Sequence, residues 1–446
     1  MIQEVYHMID SHELRRRDSY LNKLIGFQDT EPVKVITGIR RCGKSSLLKL
    51  MVQHLKDTGV LPEQIIEMNF ESFDFHKMSA DDVYRYVKER IIAGKRMYLF
   101  FDELQRIKAW EDAVNAFRVD FDCDIYVTGS NAYLLSSEYA TYLSGRCVEI
   151  KMLPLSFREF LDFHGFDVRE TQSALGGLRK QVFDKNNERY ELREVFAAYM
   201  RFGGMPGIAD VGLEQEKVLA LLDGIYSTVV IRDILERETR RGQKQITDPA
   251  LLRKIILFLA DNIGSSVSIA SIGNTLVNEG LLDDGKRKGT PSAHTVQAYV
   301  NALLESYFFY EIKRFDIKGK AYLRTLGKYY IVDIGLRNYL LGFRNRDSGH
   351  AIENVVYFEL LRRGYDVAIG KIGNGEVDFI ATTADEKKYI QVTESMMSED
   401  VRKRELAPLQ SIRDNYEKIV LSLEPGLDTS YDGIKSENLI DWLLNE

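Results

Sequence analysis

Gly38-Ile39-Arg40-Arg41-Cys42-Gly43-Lys44-Ser45-Ser46 has the spacing G-x-x-x-x-G-K-S, a pattern suited to gripping a polyphosphate. The glycines let backbone N–H groups surround a β-phosphate, a lysine at this position reaches the β- and γ-oxygens, and the following hydroxyl ligates Mg²⁺. The pattern predicts ATP or GTP as ligand, held by Gly38, Arg40, Arg41, Cys42, Gly43, Lys44, Ser45 and Ser46, with Mg²⁺ on Ser45. Further along, Phe100-Phe101-Asp102-Glu103 ends an apolar run in two carboxylates. Asp102 is the candidate for the Mg²⁺ shell, and Glu103 is the candidate base that polarises the attacking water. Thr128-Gly129-Ser130-Asn131 offers Asn131 or Ser130 as a sensor of the γ-phosphate, and Asn69 is a candidate for holding Glu103 inactive until a partner binds.

These residues need elements that deliver them to one edge. Val33 to Thr37 reads as a short buried strand before the glycine loop, and Ser45 to Val52 as an amphipathic helix after it. Arg96 to Glu103 reads as a buried parallel strand, which carries its acids to the carboxyl edge of a sheet. Cys123 to Asn131 and Gln64 to Phe70 read as two further strands. The expected fold class is therefore α/β, with a parallel-sheet P-loop NTPase core.

Taken together, the motifs resemble the AAA+ ATPases, and more narrowly an archaeal and bacterial ATPase group with a C-terminal PD-(D/E)xK nuclease-like domain. The likeness extends through Leu143-Ser144-Gly145-Arg146, Leu153-Pro154-Leu155-Ser156-Phe157-Arg158-Glu159-Phe160 and Phe202-Gly203-Gly204-Met205-Pro206-Gly207, so it covers nearly the whole chain. It implies ATP and Mg²⁺ as cofactors, and an arginine on the γ-phosphate that often comes from a neighbouring subunit. Arg146 stands at that motif position, and its planar, permanently charged guanidinium suits the role. Acting in trans, it would require a homo-oligomer.

With 446 residues the chain is too long for one ordinary domain. Its 45% apolar and 28% charged residues give a soluble globular composition. No apolar run is long enough to cross a bilayer, and Met1-Ile2-Gln3-Glu4-Val5 lacks the charged-then-apolar order of an export signal. The expectation is a cytoplasmic protein without membrane contact. A net charge of −7 excludes a general nucleic-acid coat, so any such binding must come from local basic patches. Cys42, Cys123 and Cys147 are unclustered, which excludes paired metal-ligand spacing and fits a reducing compartment.

The pattern divides the chain into an N-terminal helix at 1–29, an AAA+-like core at 30–156, a helical lid at 157–245, a winged-helix domain at 246–345 and a nuclease-like domain at 346–446. In the fourth segment, three helical stretches precede two strands around the turn Asp316-Ile317-Lys318-Gly319-Lys320. Lys286, Arg287, Lys288, Lys313, Arg314, Lys318, Lys320, Arg324 and Lys328 concentrate positive charge there, the footprint of DNA phosphate contacts.

In the last segment, a helix bearing Glu353, a strand bearing Asp378 and the strand Lys388 to Thr393 resemble the PD-(D/E)xK nuclease, or restriction-endonuclease-like, fold. In active members of that fold a helical Glu, the Asp and a further acid bind Mg²⁺, and a lysine two positions on supports the attacking water. Glu353 and Asp378 match, but Gln391 stands at the acid position and Thr393 at the lysine position. Only a shifted acid, at Glu376 or Glu394, and a shifted lysine, at Lys371 or Lys388, would restore the set. The sequence therefore points to a degenerate nuclease fold used for structure or partner binding. The leading expectation is an ATPase that moves these appended domains on DNA. An ATP-dependent nuclease and a nucleotide-controlled protein-interaction switch without nucleic acid are the alternatives.

Overall fold

The computed structural model describes residues 14–130, 132, 145–172, 178–236, 246–278, 291–344, 348–373, 375–426 and 428–445. The chain divides into two compact units, Met1–Met152 and Leu153–Glu446.

In the first unit, helix α1 (Asp18–Gly26) precedes β1 (Val33–Thr37), α2 (Lys44–Asp57), β2 (Ile65–Asn69), α3 (Ala80–Lys88), β3 (Met97–Asp102), α4 (Trp110–Asp120), β4 (Cys123–Gly129) and β5 (Cys147–Lys151). The strands form one sheet in the order β2-β3-β4-β1-β5, and every pairing is parallel. Every residue of β1 and β3 is buried, so neither segment shows the apolar–polar alternation of a half-exposed strand, and the one lysine in β1, Lys34, is paired with buried Asp124. Val35, Leu99, Phe101, Phe117, Ile125 and Val127 belong to the core of this unit. Helix α3 starts at a reciprocal cap in which Ser79 and Asp82 satisfy each other's backbone N–H groups. The strand order matters for chemistry, because β4 lies between the glycine-loop strand β1 and the acid-bearing strand β3.

The second unit begins with α5 (Phe157–His164), capped by Ser156 and Glu159. It does not continue as a purely helical lid. An antiparallel sheet of β6 (Asp167–Gln172), β7 (Leu178–Phe183) and β8 (Arg189–Tyr190) follows, with Asn186 and Asn187 in the turn between the last two strands. Then come α6 (Leu192–Phe202), α7 (Ile208–Val211) and α8 (Gln215–Thr228). The Phe202 to Gly207 motif is explained by close approach at this point. A side chain at Gly203 would lie 2.2 Å from an Asp333 oxygen, and one at Gly204 would lie 2.4 Å from the Leu155 carbonyl.

Next come α9 (Pro249–Asp261), β9 (Ser266–Val267), α10 (Ile269–Asn278), α11 (Ala293–Glu305), β10 (Phe309–Asp316), β11 (Ala321–Ile331) and α12 (Ile334–Leu341). The C-terminal part contains α13 (Ser348–Arg362), β12 (Asp366–Ile372), β13 (Gly375–Thr382), β14 (Lys387–Ser395), α14 (Glu399–Gln410), β15 (Glu417–Glu424), β16 (Ser430–Tyr431), β17 (Ile434–Asn438) and α15 (Leu439–Leu444).

The sequence reading separates 246–345 from 346–446, but the sheet runs through both. Its order is β16-β17-β15-β14-β13-β12-β10-β11-β9. The seam is a parallel pairing of Arg314–Asp316 with Ile369–Lys371. Phe315 and Ile317 also pack onto a core that includes Ile372, Val377, Tyr389 and Leu406.

Candidate functional site

The glycine loop starts where β1 ends. Gly38 has φ +143°, and a Cβ there would stand 2.1 Å from the Met152 carbonyl oxygen, so only glycine fits. Gly43 has φ +103° and is the residue before the first turn of α2. The Lys44 side chain is buried, and its ammonium donates to the Gly38 and Ile39 carbonyls at 2.9 and 3.1 Å. The first helical N–H with a backbone partner is that of Leu47, to Gly43, and those ahead of it are the orphan donors of a helix start. The first turn of the helix holds no acid of its own to oppose its positive end. Ser45 and Ser46 are exposed at this end.

Arg17, in the N-terminal segment, is buried. It donates to the Cys42 carbonyl at 3.1 Å and lies over the Tyr20 ring, which fixes the loop from behind.

The two acids stand together at the carboxyl end of β3, beside β4. Asp102 accepts from the Thr128 hydroxyl and, at 3.1 Å, from the Asn69 amide. The same Thr128 oxygen accepts the Glu103 N–H at 3.0 Å. Thr128 therefore locks both acids to β4, a role that the inserted strand makes available and that no motif advertises. Asn69 holds Asp102 and not Glu103, contrary to the sequence expectation, because β2 pairs with β3 so that Asn69 stands level with Asp102. The Glu103 carboxylate is held instead by the Gln105 amide and by the Ser130 hydroxyl at 3.3 Å. The Glu103 backbone is left-handed, at φ +57°, a conformation that costs a non-glycine residue about 1–3 kcal/mol.

Arg40 and Arg106 both form ion pairs with Glu71, Arg106 at 2.8 Å. Arg41 is exposed and left-handed at φ +62°, and Cys42 is fully buried. Arg146 sits at the opposite edge of the sheet. Its carbonyl accepts the Val33 N–H, and Cys147 stands level with Val33 at the start of β1. The strand separates it from its own glycine loop by about 16 Å at the usual rise per residue. Asn131 lies outside the described residues.

In the second unit, the C-terminal candidates Glu353, Asp378 and Gln391 are all buried, as is Thr393. They do converge, but on internal partners. Asp378 accepts the Val392 N–H at 2.8 Å, and Gln391 donates to Glu405 at 3.0 Å. Glu353 accepts the Tyr330 hydroxyl at 3.1 Å. Burial, followed by the Glu353 carboxylate, pushes the Asp378 carboxyl well above the usual range.

Lys328, which the sequence reading places in the DNA-binding patch, is 5% exposed and belongs to this cluster. Its ammonium lies 2.7 Å from Glu376 and 3.9 Å from Glu353. Neither proposed shifted lysine fills that place, since Lys388 pairs with Glu386 and Glu417 and Lys371 stands on β12 level with Glu376. Among the basic candidates, Lys313, Lys318 and Lys320 are exposed, whereas Arg314 is largely covered and faces Glu376 at 3.8 Å. Lys286, Arg287 and Lys288 lie outside the described residues, and the strand position of Arg324 is described without its side chain.

A glycine loop between strand and helix, with two acids on a nearby parallel strand, defines an AAA-type P-loop ATPase domain, and residues 30–161 match the AAA domain family. Residues 193–347 match a domain of unknown function, DUF8612. An uncharacterized protein of Haemophilus influenzae is 39% identical over 432 residues, spanning 96% of this chain and 98% of the relative. The uncharacterized protein MJ1544 of Methanocaldococcus jannaschii is 30% identical over 426 residues, 94% of this chain and 85% of its own length. The chain belongs to the family of these two proteins. Among solved structures, the Walker-type ATPase PABY2304 of Pyrococcus abyssi is similar with a TM-score of 0.47 and 16% identity, over 73% of this chain and 95% of that one. No helix among the described residues is long and apolar enough to cross a membrane.

Proposed function

We propose that the first unit binds Mg²⁺-ATP at the carboxyl edge of its sheet and hydrolyses it, and that this cycle moves the second unit as one body on DNA. The observation that carries this reading is the pairing of a donor-rich helix start at Lys44 to Ser46 with acids that Thr128 fixes on β3. The residues fit Mg²⁺-ATP by the chemistry of their donors. Lys44 would exchange its two carbonyl partners for β- and γ-oxygens, the orphan N–H groups would take phosphate oxygens, and the Ser45 hydroxyl and Asp102 would hold the metal. Bound there, Mg²⁺ supplies charge neutralisation between the β- and γ-phosphates. Glu103, once released by Gln105 and Ser130, would orient the attacking water and take its proton. Arg146, far from its own loop, could serve only a neighbouring copy's γ-phosphate, so its use requires a homo-oligomer.

The DNA part of the reading rests on the exposed lysines Lys313, Lys318 and Lys320 of the β10–β11 hairpin, which follows the helices α10 and α11 as a wing would. Hydrolysis measured with and without single- and double-stranded DNA tests it. Stimulation by one of them is the expected result. Indifference to both would remove DNA from the proposal and leave a nucleotide-controlled protein switch.

A further inference from the structure

The resemblance of the C-terminal part to metal-dependent nucleases implies a divalent cation at Glu353 and Asp378. The residues present do not fit one. Gln391 contributes an amide where a third acid is needed, and its NH₂ donates to Glu405. A donating amide nitrogen cannot ligate a metal, and the carbonyl oxygen, which could, is turned to the Asp378 N–H at 3.4 Å. Each carboxylate of the cluster already has protein partners. Glu353 has the Tyr330 hydroxyl, and His350 lies 3.6 Å away. Glu376 has Lys328, Asp378 has the Val392 N–H, and Glu405 has Gln391 and, at 2.8 Å, Arg404. Among the described residues, no group of three or more His, Cys, Asp or Glu side chains is placed to hold a metal ion.

We infer that Lys328 is the resident cation of this cluster: its ammonium takes the place of a divalent metal among Glu353, Glu376 and Asp378, and this seals the site against metal and catalysis. The lysine comes from β11, outside the helix-strand-strand framework that carries the acids, so its role leaves no trace in motif spacing. Its ammonium, 2.7 Å from Glu376 and 3.9 Å from Glu353, occupies the middle of these acids.

The same lysine also clamps the hairpin to the C-terminal sheet. Two residues on from Lys328, Tyr330 donates to Glu353, and Ile331 exchanges two hydrogen bonds with the Asn354 side chain of α13, at 3.0 and 2.9 Å. With the β10–β12 seam, this makes the hairpin and the nuclease-like sheet a single mechanical piece.

The test is Mn²⁺ binding to the full, nucleotide-free chain, read from the loss of the free-ion paramagnetic resonance signal. The wild type is expected to show no Mn²⁺ site that Asp378→Asn removes. Lys328→Met is expected to melt at lower temperature and to gain a Mn²⁺ site, which Asp378→Asn added to it removes. If Lys328→Met does not fold, Lys328→Met/Glu353→Gln, which removes one charge of each sign, is expected to regain most of the lost stability. An Asp378-dependent Mn²⁺ site in the wild type overturns the inference. So does a folded Lys328→Met of unchanged stability without Mn²⁺ binding, or a double variant no more stable than the single one.

Discussion

Both candidate sites contain a buried lysine and strand-borne acids, yet one is open to a ligand and the other is closed. At the glycine loop, Lys44 rests on two backbone carbonyls, partners that a phosphate can replace, and the adjoining helix start has N–H groups to spare. In the C-terminal cluster, Lys328 rests on carboxylates, and the remaining acids are bound by Gln391, Tyr330, Arg404 and a backbone N–H. The difference lies in the charge of the lysine's partners. An ammonium on neutral oxygens remains available to an anion, whereas one among carboxylates is already neutralised, and separating it would leave buried charges unpaired. A catalytic-looking set of residue types therefore says little until their partners are known.

Lys44→Ala should break the open half of this comparison most severely. It removes the charged donor to the phosphates, so ATP affinity measured by calorimetry should fall about 100-fold or more. The closed half predicts the opposite for Asp378→Ala, which should leave ATP hydrolysis at the wild-type rate, and no Mg²⁺-dependent DNA cleavage should depend on that residue.

Thr128→Val tests the lock on the acids. It leaves the Glu103 N–H without its acceptor and Asp102 with the Asn69 amide but no hydroxyl donor, so chemical denaturation should show a loss of about 2–3 kcal/mol. A change below about half a kcal/mol would mean that the hydroxyl is dispensable.

Lys318→Glu with Lys320→Glu should weaken DNA binding and lower the salt dependence by about one unit of slope per lysine. Unchanged binding would move the contact elsewhere.

Asp333 offers a buried acid held by neither lysine nor metal. Burial outweighs its bonds from the N–H groups of Gly204, Leu336 and Gly335 and raises its carboxyl to about 6. The folded state thus holds the proton more tightly than the unfolded chain, whose value is near 3.8. The stabilisation from this proton is complete below about pH 3.8 and is lost as pH rises through about 6. Relative to the wild type, Asp333→Asn should gain of order 2–3 kcal/mol between pH 4 and pH 7. A pH-independent difference would contradict the assignment.

What was legible in the sequence were features carried by contiguous residues. The strand-loop-helix at Val33 to Val52 and the acids ending β3 appear where the pattern puts them, and the strands of the β10–β11 hairpin flank the turn the sequence marks at Asp316 to Lys320. What was not legible depends on pairing between distant segments. Thr128 acquires its role only because β4 inserts between β1 and β3, and Asn69 faces Asp102 because of strand register. Lys328 looked like one more lysine in a basic run. It is buried because β10 pairs with β12, a parallel contact with no local signature, and because Asn354 and Glu353 dock α13 onto β11. The lid likewise hides a three-stranded sheet, whose middle strand, Leu178–Phe183, alternates too weakly with its charged residues to stand out among helical patterns.

In the proposed mechanism Glu103 activates water at the open site while the rest of the loop binds ATP without it. Hydrolysis of Mg²⁺-ATP by Glu103→Gln, measured beside ATP binding by the same protein, addresses it directly. Binding should stay close to that of the wild type, with turnover lower by about 100-fold or more. Turnover at the wild-type rate would contradict it.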